Sequence, residues 1–168
     1  MTTRDTRGPS CLSFLRRSPL SEFLKTVFGK FEFRVRKGYY YLEDGFWVNV
    51  EGVRVKIGIT DYLQRTAGDA AFVEFSKKGS IAERRAEVGV LETAKASVSI
   101  ISPVSGTVVD LNSVLDERPE LVNSDPYGEG WLLILAPNHL DDDLKSLMSA
   151  DDYFKLMIKK LESDHVGV

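Results

Sequence analysis

From Phe31 onward, apolar and polar residues alternate in short bursts separated by turn residues, and this period-two pattern predicts β-strands. Residues 31–36 alternate. Residues 39–42 and 46–50 flank Glu43-Asp44-Gly45, a turn with its glycine where a positive φ is needed. Glu51-Gly52 makes the next turn, and residues 53–57 alternate again. Thr60 predicts the N-cap of a short helix that Gly68 ends. Residues 71–75 form a strand that turns at Ser76-Lys77-Lys78-Gly79, and residues 116–119 and 125–128 are further turns. Residues 130–135 are wholly apolar and predict a strand covered on both faces, with Trp131 and Ile134 buried and Trp47 largely so. Asn138 or Asp141 caps one helix near the carboxyl end and Ser149 a second, whose Tyr153, Leu156, Met157 and Leu161 share one apolar face. The prediction is a mainly β fold: a flattened barrel-sandwich of two antiparallel sheets with C-terminal helices.

One hairpin stands out. Val88-Gly89-Val90-Leu91 precedes and Val98-Ser99-Ile100-Ile101 follows Glu92-Thr93-Ala94-Lys95-Ala96-Ser97, which places Lys95 near the tip of a strand–turn–strand unit. Ala94 and Ala96 leave its ammonium sterically open. By itself this is an ordinary solvated lysine. Its surroundings change that reading. Gly79 lies 16 residues before Lys95 and Gly106 lies 11 after. Three further stretches accompany it: Gly58-Ile59-Thr60-Asp61-Tyr62, Gly68-Asp69-Ala70-Ala71-Phe72-Val73-Glu74, and Asn123-Ser124-Asp125-Pro126-Tyr127-Gly128-Glu129-Gly130-Trp131. In combination these resemble the glycine cleavage H-protein family of lipoyl carriers over roughly residues 38–163. A biotin carrier would show Met-Lys-Met at the tip, and acyltransferase lipoyl domains lack the Pro-Tyr-Gly-x-Gly-Trp stretch.

The resemblance implies lipoic acid as the cofactor, joined covalently by an amide to Lys95. Glu92, Ala94 and Ala96 would form the motif read by a lipoate ligase. The chain would then be a non-catalytic carrier acting with partner enzymes. The family also has an arm cleft lined by a serine, a glutamate and an aspartate. Alignment on Trp47 puts Asp44 at the serine position and Phe46 at the glutamate position, while Ser99 stands four residues after Lys95 in place of the aspartate. A cationic aminomethyl group needs sheltered carboxylates. Those departures make the chain resemble the lipoate-binding proteins of sulfur oxidation, which would serve a heterodisulfide-reductase-like complex. The alternatives are a divergent aminomethyl carrier working with glycine cleavage proteins, and an interaction domain that has lost modification.

Composition narrows the rest. Across 168 residues, 43% are hydrophobic and 28% charged, as in a soluble globular chain. No apolar run reaches membrane-spanning length, so no membrane role is expected. Cys11 is the only cysteine, which excludes an internal disulfide and a thiolate metal cluster. Only His139 and His165 are available as imidazoles, and pairing either with Ser102 or Ser105 gives a weak case for a hydrolase. Asp141, Asp142 and Asp143 read as a helix N-terminus rather than a metal site. The net charge of −3 hides an asymmetry: residues 1–37 hold nine Lys/Arg against three Asp/Glu, and the remainder is acidic. That acidic body argues against nucleic acid as a partner. The division expected is a basic N-terminal extension over residues 1–30 and an H-protein-like carrier domain over residues 31–168. Within the extension, Ser21 to Phe28 reads as a short amphipathic helix ended by Gly29. The expected location is cytoplasmic, or an organellar matrix if the arginine-rich start is a transit peptide.

Overall fold

The computed structural model describes residues 22–166. The arginine-rich start and Cys11 lie outside those residues. Eleven strands run in the order β1 (Phe23–Phe28), β2 (Phe31–Arg36), β3 (Tyr40–Leu42), β4 (Phe46–Glu51), β5 (Arg54–Ile59), β6 (Ala70–Phe75), β7 (Ile81–Ala82), β8 (Glu87–Thr93), β9 (Ser97–Ile101), β10 (Gly106–Leu111) and β11 (Leu133–Pro137). Helix α1 (Asp61–Ala67) joins β5 to β6, a 3-10 turn spans Ser113–Asp116, and α2 (Leu121–Ser124) follows it. Helices α3 (Leu140–Lys145) and α4 (Ala150–Val166) close the chain.

Two antiparallel sheets form the body, as expected. One has six strands in the order β3-β4-β5-β11-β10-β7, the other three in the order β6-β8-β9. Both are open, so the barrel half of the barrel-sandwich description does not apply. The main core takes Val48, Val55, Ile57, Val108, Leu133 and Leu135 from the larger sheet and Val73, Val88, Leu91 and Ile100 from the smaller. A second core is aromatic: Trp47, Tyr41, Tyr127 and Tyr153 pack with Phe33, Val35, Met157 and Leu161. It seats α4 through the apolar face read in the sequence.

Thr60 caps α1, its hydroxyl accepting from the Leu63 amide at 3.2 Å. Gly68 ends that helix at φ 94°. Gly58 has no Cβ because one would stand 2.3 Å from Trp47 Cζ2. Ser149 caps α4 by accepting from Asp152 N at 3.2 Å. Helix α3, by contrast, starts after His139 with no side-chain cap, so neither Asn138 nor Asp141 has the role expected of it. Asp143 is buried and accepts from Ser105 N at 2.8 Å, with Arg84 Nε 3.7 Å away, so it ties α3 to a turn.

Two expectations need larger corrections. Within the segment expected as a helix from Ser21 to Phe28, Phe23–Phe28 form strand β1, paired with β2 in the register Leu24↔Val35 and Thr26↔Phe33; Ser21 lies outside the described residues. The hairpin crosses the division expected at residue 30. Its two-residue turn, Gly29-Lys30, puts glycine at the first central position with φ 63°. Secondly, Trp131 and Ile134 are only half-buried, whereas Leu132, Leu133 and Leu135 are enclosed. Strand β11 therefore shows one face to the core, and Lys56 Nζ stands 5.3 Å from the Trp131 ring centroid.

Candidate functional site

Strands β8 and β9 form the expected hairpin, with Glu92 opposite Ser97 and Lys95 exposed at its tip. Thr93 buckles this tip. Its hydroxyl donates to Ala67 O at 2.7 Å and accepts from the amides of Lys95 (3.2 Å) and Ala96 (3.0 Å). Backbone bonds complete the frame, from Thr93 N to Ala96 O at 2.9 Å and from Ala94 N to Asp69 O at 3.1 Å. The tip is thus fastened to the end of α1 and the loop beyond it, which fixes the backbone while the side chain at 95 stays accessible.

Lys95 lies across Gly68. A Cβ there would come within 2.8 Å of Lys95 Cδ, so the glycine leaves a shallow bed for the stem. Its Nζ donates to Thr66 O at 3.2 Å, in the last turn of α1, where carbonyls lack helical partners and favour a donor. Asn123 holds this loop from below: its Nδ2 donates to Gly68 O at 2.9 Å and its Oδ1 accepts from Ala70 N at 2.8 Å. The three stretches singled out in the sequence therefore converge. Residues 58–62 open α1, residues 68–74 carry the bed, and residues 123–131 support it. In that last stretch Pro126 O accepts from Trp47 Nε1 at 3.1 Å.

The residues at the three arm-cleft positions have different surroundings. Asp44 is exposed, 3.9 Å from Arg85 Nη1. Phe46 is 1% exposed and belongs to the main core, so it adds nothing to a surface cleft. Ser99 is exposed on β9 and donates to Glu87 Oε2 at 2.8 Å. Glu92 accepts from Ser97 Oγ at 2.6 Å, while Ala94 and Ala96 are exposed beside the lysine. Sequence reasoning missed Thr93 as the fastening residue and Glu87 as the carboxylate beside Ser99. A threonine two residues before a tip lysine is the only signal for the first. Nothing but the strand register reveals the second, which a β-bulge between Glu87 and Gly89 offsets.

The alternatives raised by the serines find no geometry. Ser102 is buried and donates to Val104 O at 2.6 Å, and Ser105 Oγ accepts from Arg84 N at 3.0 Å. Among the described residues, no group of three or more metal-ligating side chains converges, and no helix is long and apolar enough to cross a membrane.

Comparison with known proteins agrees with this geometry. The model of the glycine cleavage H-protein family matches residues 39–160. The chain is 40% identical over 127 residues to a probable glycine cleavage system H protein of Thermococcus gammatolerans, covering 75% of this chain and 94% of that one. With the probable glycine cleavage system H protein of Natronomonas pharaonis the identity is 45% over 113 residues, 67% of this chain and 88% of the relative. A crystal structure of a glycine cleavage system H protein from Mycobacterium marinum superposes with a TM-score of 0.64 at 27% identity, covering 71% of this chain and 95% of that chain. A two-sheet body with a lysine exposed at a braced hairpin tip, matched by that family over most of its length, places this chain in the glycine cleavage H-protein family.

Proposed function

We propose that the chain is a lipoyl carrier, with lipoic acid in amide linkage on Lys95, and that it carries the aminomethyl group between glycine cleavage enzymes. The observation that supports this reading best is the site of Lys95: an exposed amine on a backbone fixed by Thr93, over a bed that only glycine leaves open. The residues suit the group. An amide nitrogen keeps one N–H, so it can still donate to Thr66 O where the ammonium now does. When bound, the lipoyl group supplies a disulfide that accepts a nucleophile at one sulfur and releases the other as a thiol. What the chain itself provides is a rigid tip, open access at Ala94 and Ala96, and Glu92 as a charge for a lipoate ligase to read.

A sulfur-carrying role with a heterodisulfide-reductase-like complex draws on Phe46 and Ser99, where the family has acids. Phe46 does lack any acceptor and is sealed in the core. At Ser99, however, the Glu87 carboxylate stands 2.8 Å away, so that side of the hairpin keeps an anion suited to a cationic cargo. The relatives described above are named for glycine cleavage, and that reading stands first.

The experiment is a loading assay. Lipoylated protein is mixed with glycine and a glycine decarboxylase, and in parallel with a heterodisulfide-reductase-like partner and its sulfur substrate. Loading from glycine, weakened by Glu87→Gln, is the expected result. Loading only by the sulfur partner overturns the glycine-cleavage assignment and leaves the carrier reading intact.

A further inference from the structure

We infer that the β1–β2 hairpin and the end of α1 form a resting site for the lipoyl arm before it is loaded. The inference rests on the lipoyl-carrier reading of Lys95. The hairpin precedes the residues that the family model matches, which begin at residue 39. Even so, it is built into the body. Asp61 Oδ2 accepts from Arg34 N at 3.0 Å, and Tyr127 Oη donates to Arg34 O at 2.8 Å. Phe33 and Val35 are buried in the aromatic core.

At its tip the hairpin meets α1. The Arg65 guanidinium lies 4.2 Å from the Phe31 ring centroid and 5.9 Å from that of Phe33. Arg65 makes no ion pair among the described residues, and Phe31 remains 40% exposed. The next residue, Thr66, offers the carbonyl on which Lys95 Nζ already rests. Its own hydroxyl is turned back onto Tyr62 O at 3.1 Å and Leu63 O at 3.2 Å, out of the way. The lysine stem thus runs over Gly68 to Thr66, and an arm prolonged from Nζ starts one residue from the Arg65–Phe31 pair.

The chemistry of that pair fits one end-group. A dithiolane is apolar and polarizable, and sulfur against an aromatic ring is a favourable contact. The guanidinium beside it tolerates a neutral disulfide and repels an ammonium. Arg65 therefore leaves the resting site to the unloaded arm, while a cationic cargo is sent toward the carboxylate side of the hairpin at Glu87.

The test uses full-length lipoylated protein, with intact mass confirming modification of Lys95. Reduction of the arm's disulfide by a water-soluble phosphine is followed by thiol labelling. Phe31→Ala, and Phe31→Leu as the variant that keeps packing volume, are expected to speed reduction by roughly 2- to 10-fold, the range of a sulfur–aromatic contact. Val53→Ala, in the distant β4–β5 turn, should leave the rate unchanged. In NMR spectra, lipoylation should shift signals of Phe31, Arg65 and Gly68. Equal reduction rates, with shifts confined to residues 94–96, overturn the resting site and leave the carrier reading standing. Failure of Lys95 to be modified by a competent ligase overturns both.

Discussion

At the residue scale, one atom more or less decides the outcome at a few positions. Gly68 combines φ 94° with ψ −174°, a region essentially reserved for glycine, and also forms the bed of Lys95. Gly68→Ala is expected to cost about 1–3 kcal/mol in chemical denaturation and to push the lysine stem aside. An unchanged midpoint would show that the local backbone relaxes freely. Trp47 is fully buried, with its ring against Gly58 and its Nε1 bonded to Pro126 O. Trp47→Ala should cost about 3–5 kcal/mol, measured by the same titration. The exposed tip position of Lys95 is legible from sequence, because two strand-forming runs flank it and its neighbours are small. Thr93 is not, since its partner Ala67 is 26 residues away and only the folded chain brings them together.

At the scale of elements, the hairpin β1–β2 shows where local pattern misleads. Phe23, Leu24, Val27 and Phe28 have helix-like spacing, yet Thr26 and Val27 are β-branched and a Gly-Lys turn follows at once. Pairing with β2 then settles the matter, because a strand partner satisfies every second backbone group while a helix of about two turns leaves its first four N–H and last four C=O groups bare. Strand β11 misleads differently. Six consecutive apolar residues do not say which faces the rest of the chain covers, and Trp131 ends half in solvent under Lys56. The β4–β5 hairpin is legible because alternation and the turn glycine Gly52 agree, and the β8–β9 hairpin because two β-branched runs flank a tip of small residues. The structure makes a prediction for the N-terminal hairpin. Phe33 is 4% exposed, so Phe33→Ala should cost about 3–5 kcal/mol, read as a fall in the denaturation midpoint. A midpoint equal to that of the parent chain would mean the hairpin is not integral to the fold.

Across the whole molecule, buried tyrosines couple stability to pH. Burial pushes the Tyr127, Tyr41 and Tyr153 hydroxyls up from the ordinary tyrosine value, and burial with the Asp164 hydrogen bond pushes Tyr62 up to about 12. Tyr41 and Tyr127 donate to Arg36 O and Arg34 O, and Tyr153 shares a bond with Thr60, so the neutral forms hold the hairpin and α4 in place. A folded-state value raised above the unfolded one, near 10, gives stability that is complete below pH ~10 and lost as pH rises past it. Thermal midpoints should therefore be flat from neutral pH to about 9.5 and fall steeply above about 10.5, with phenolate absorbance appearing together with unfolding. Phenolate absorbance that rises near pH 10 in a still-folded chain would contradict that coupling. The purpose proposed for this body is to present one amine. The most direct test of that purpose is peptide mass spectrometry of the full chain after incubation with lipoate, ATP and a lipoate ligase. The account predicts a lipoyl mass on the peptide containing Lys95, no such mass on any other lysine, and complete loss in a Lys95→Arg variant that folds normally. A ligase that modifies another H protein in the same tube yet leaves Lys95 bare, or that places the group elsewhere, would contradict it.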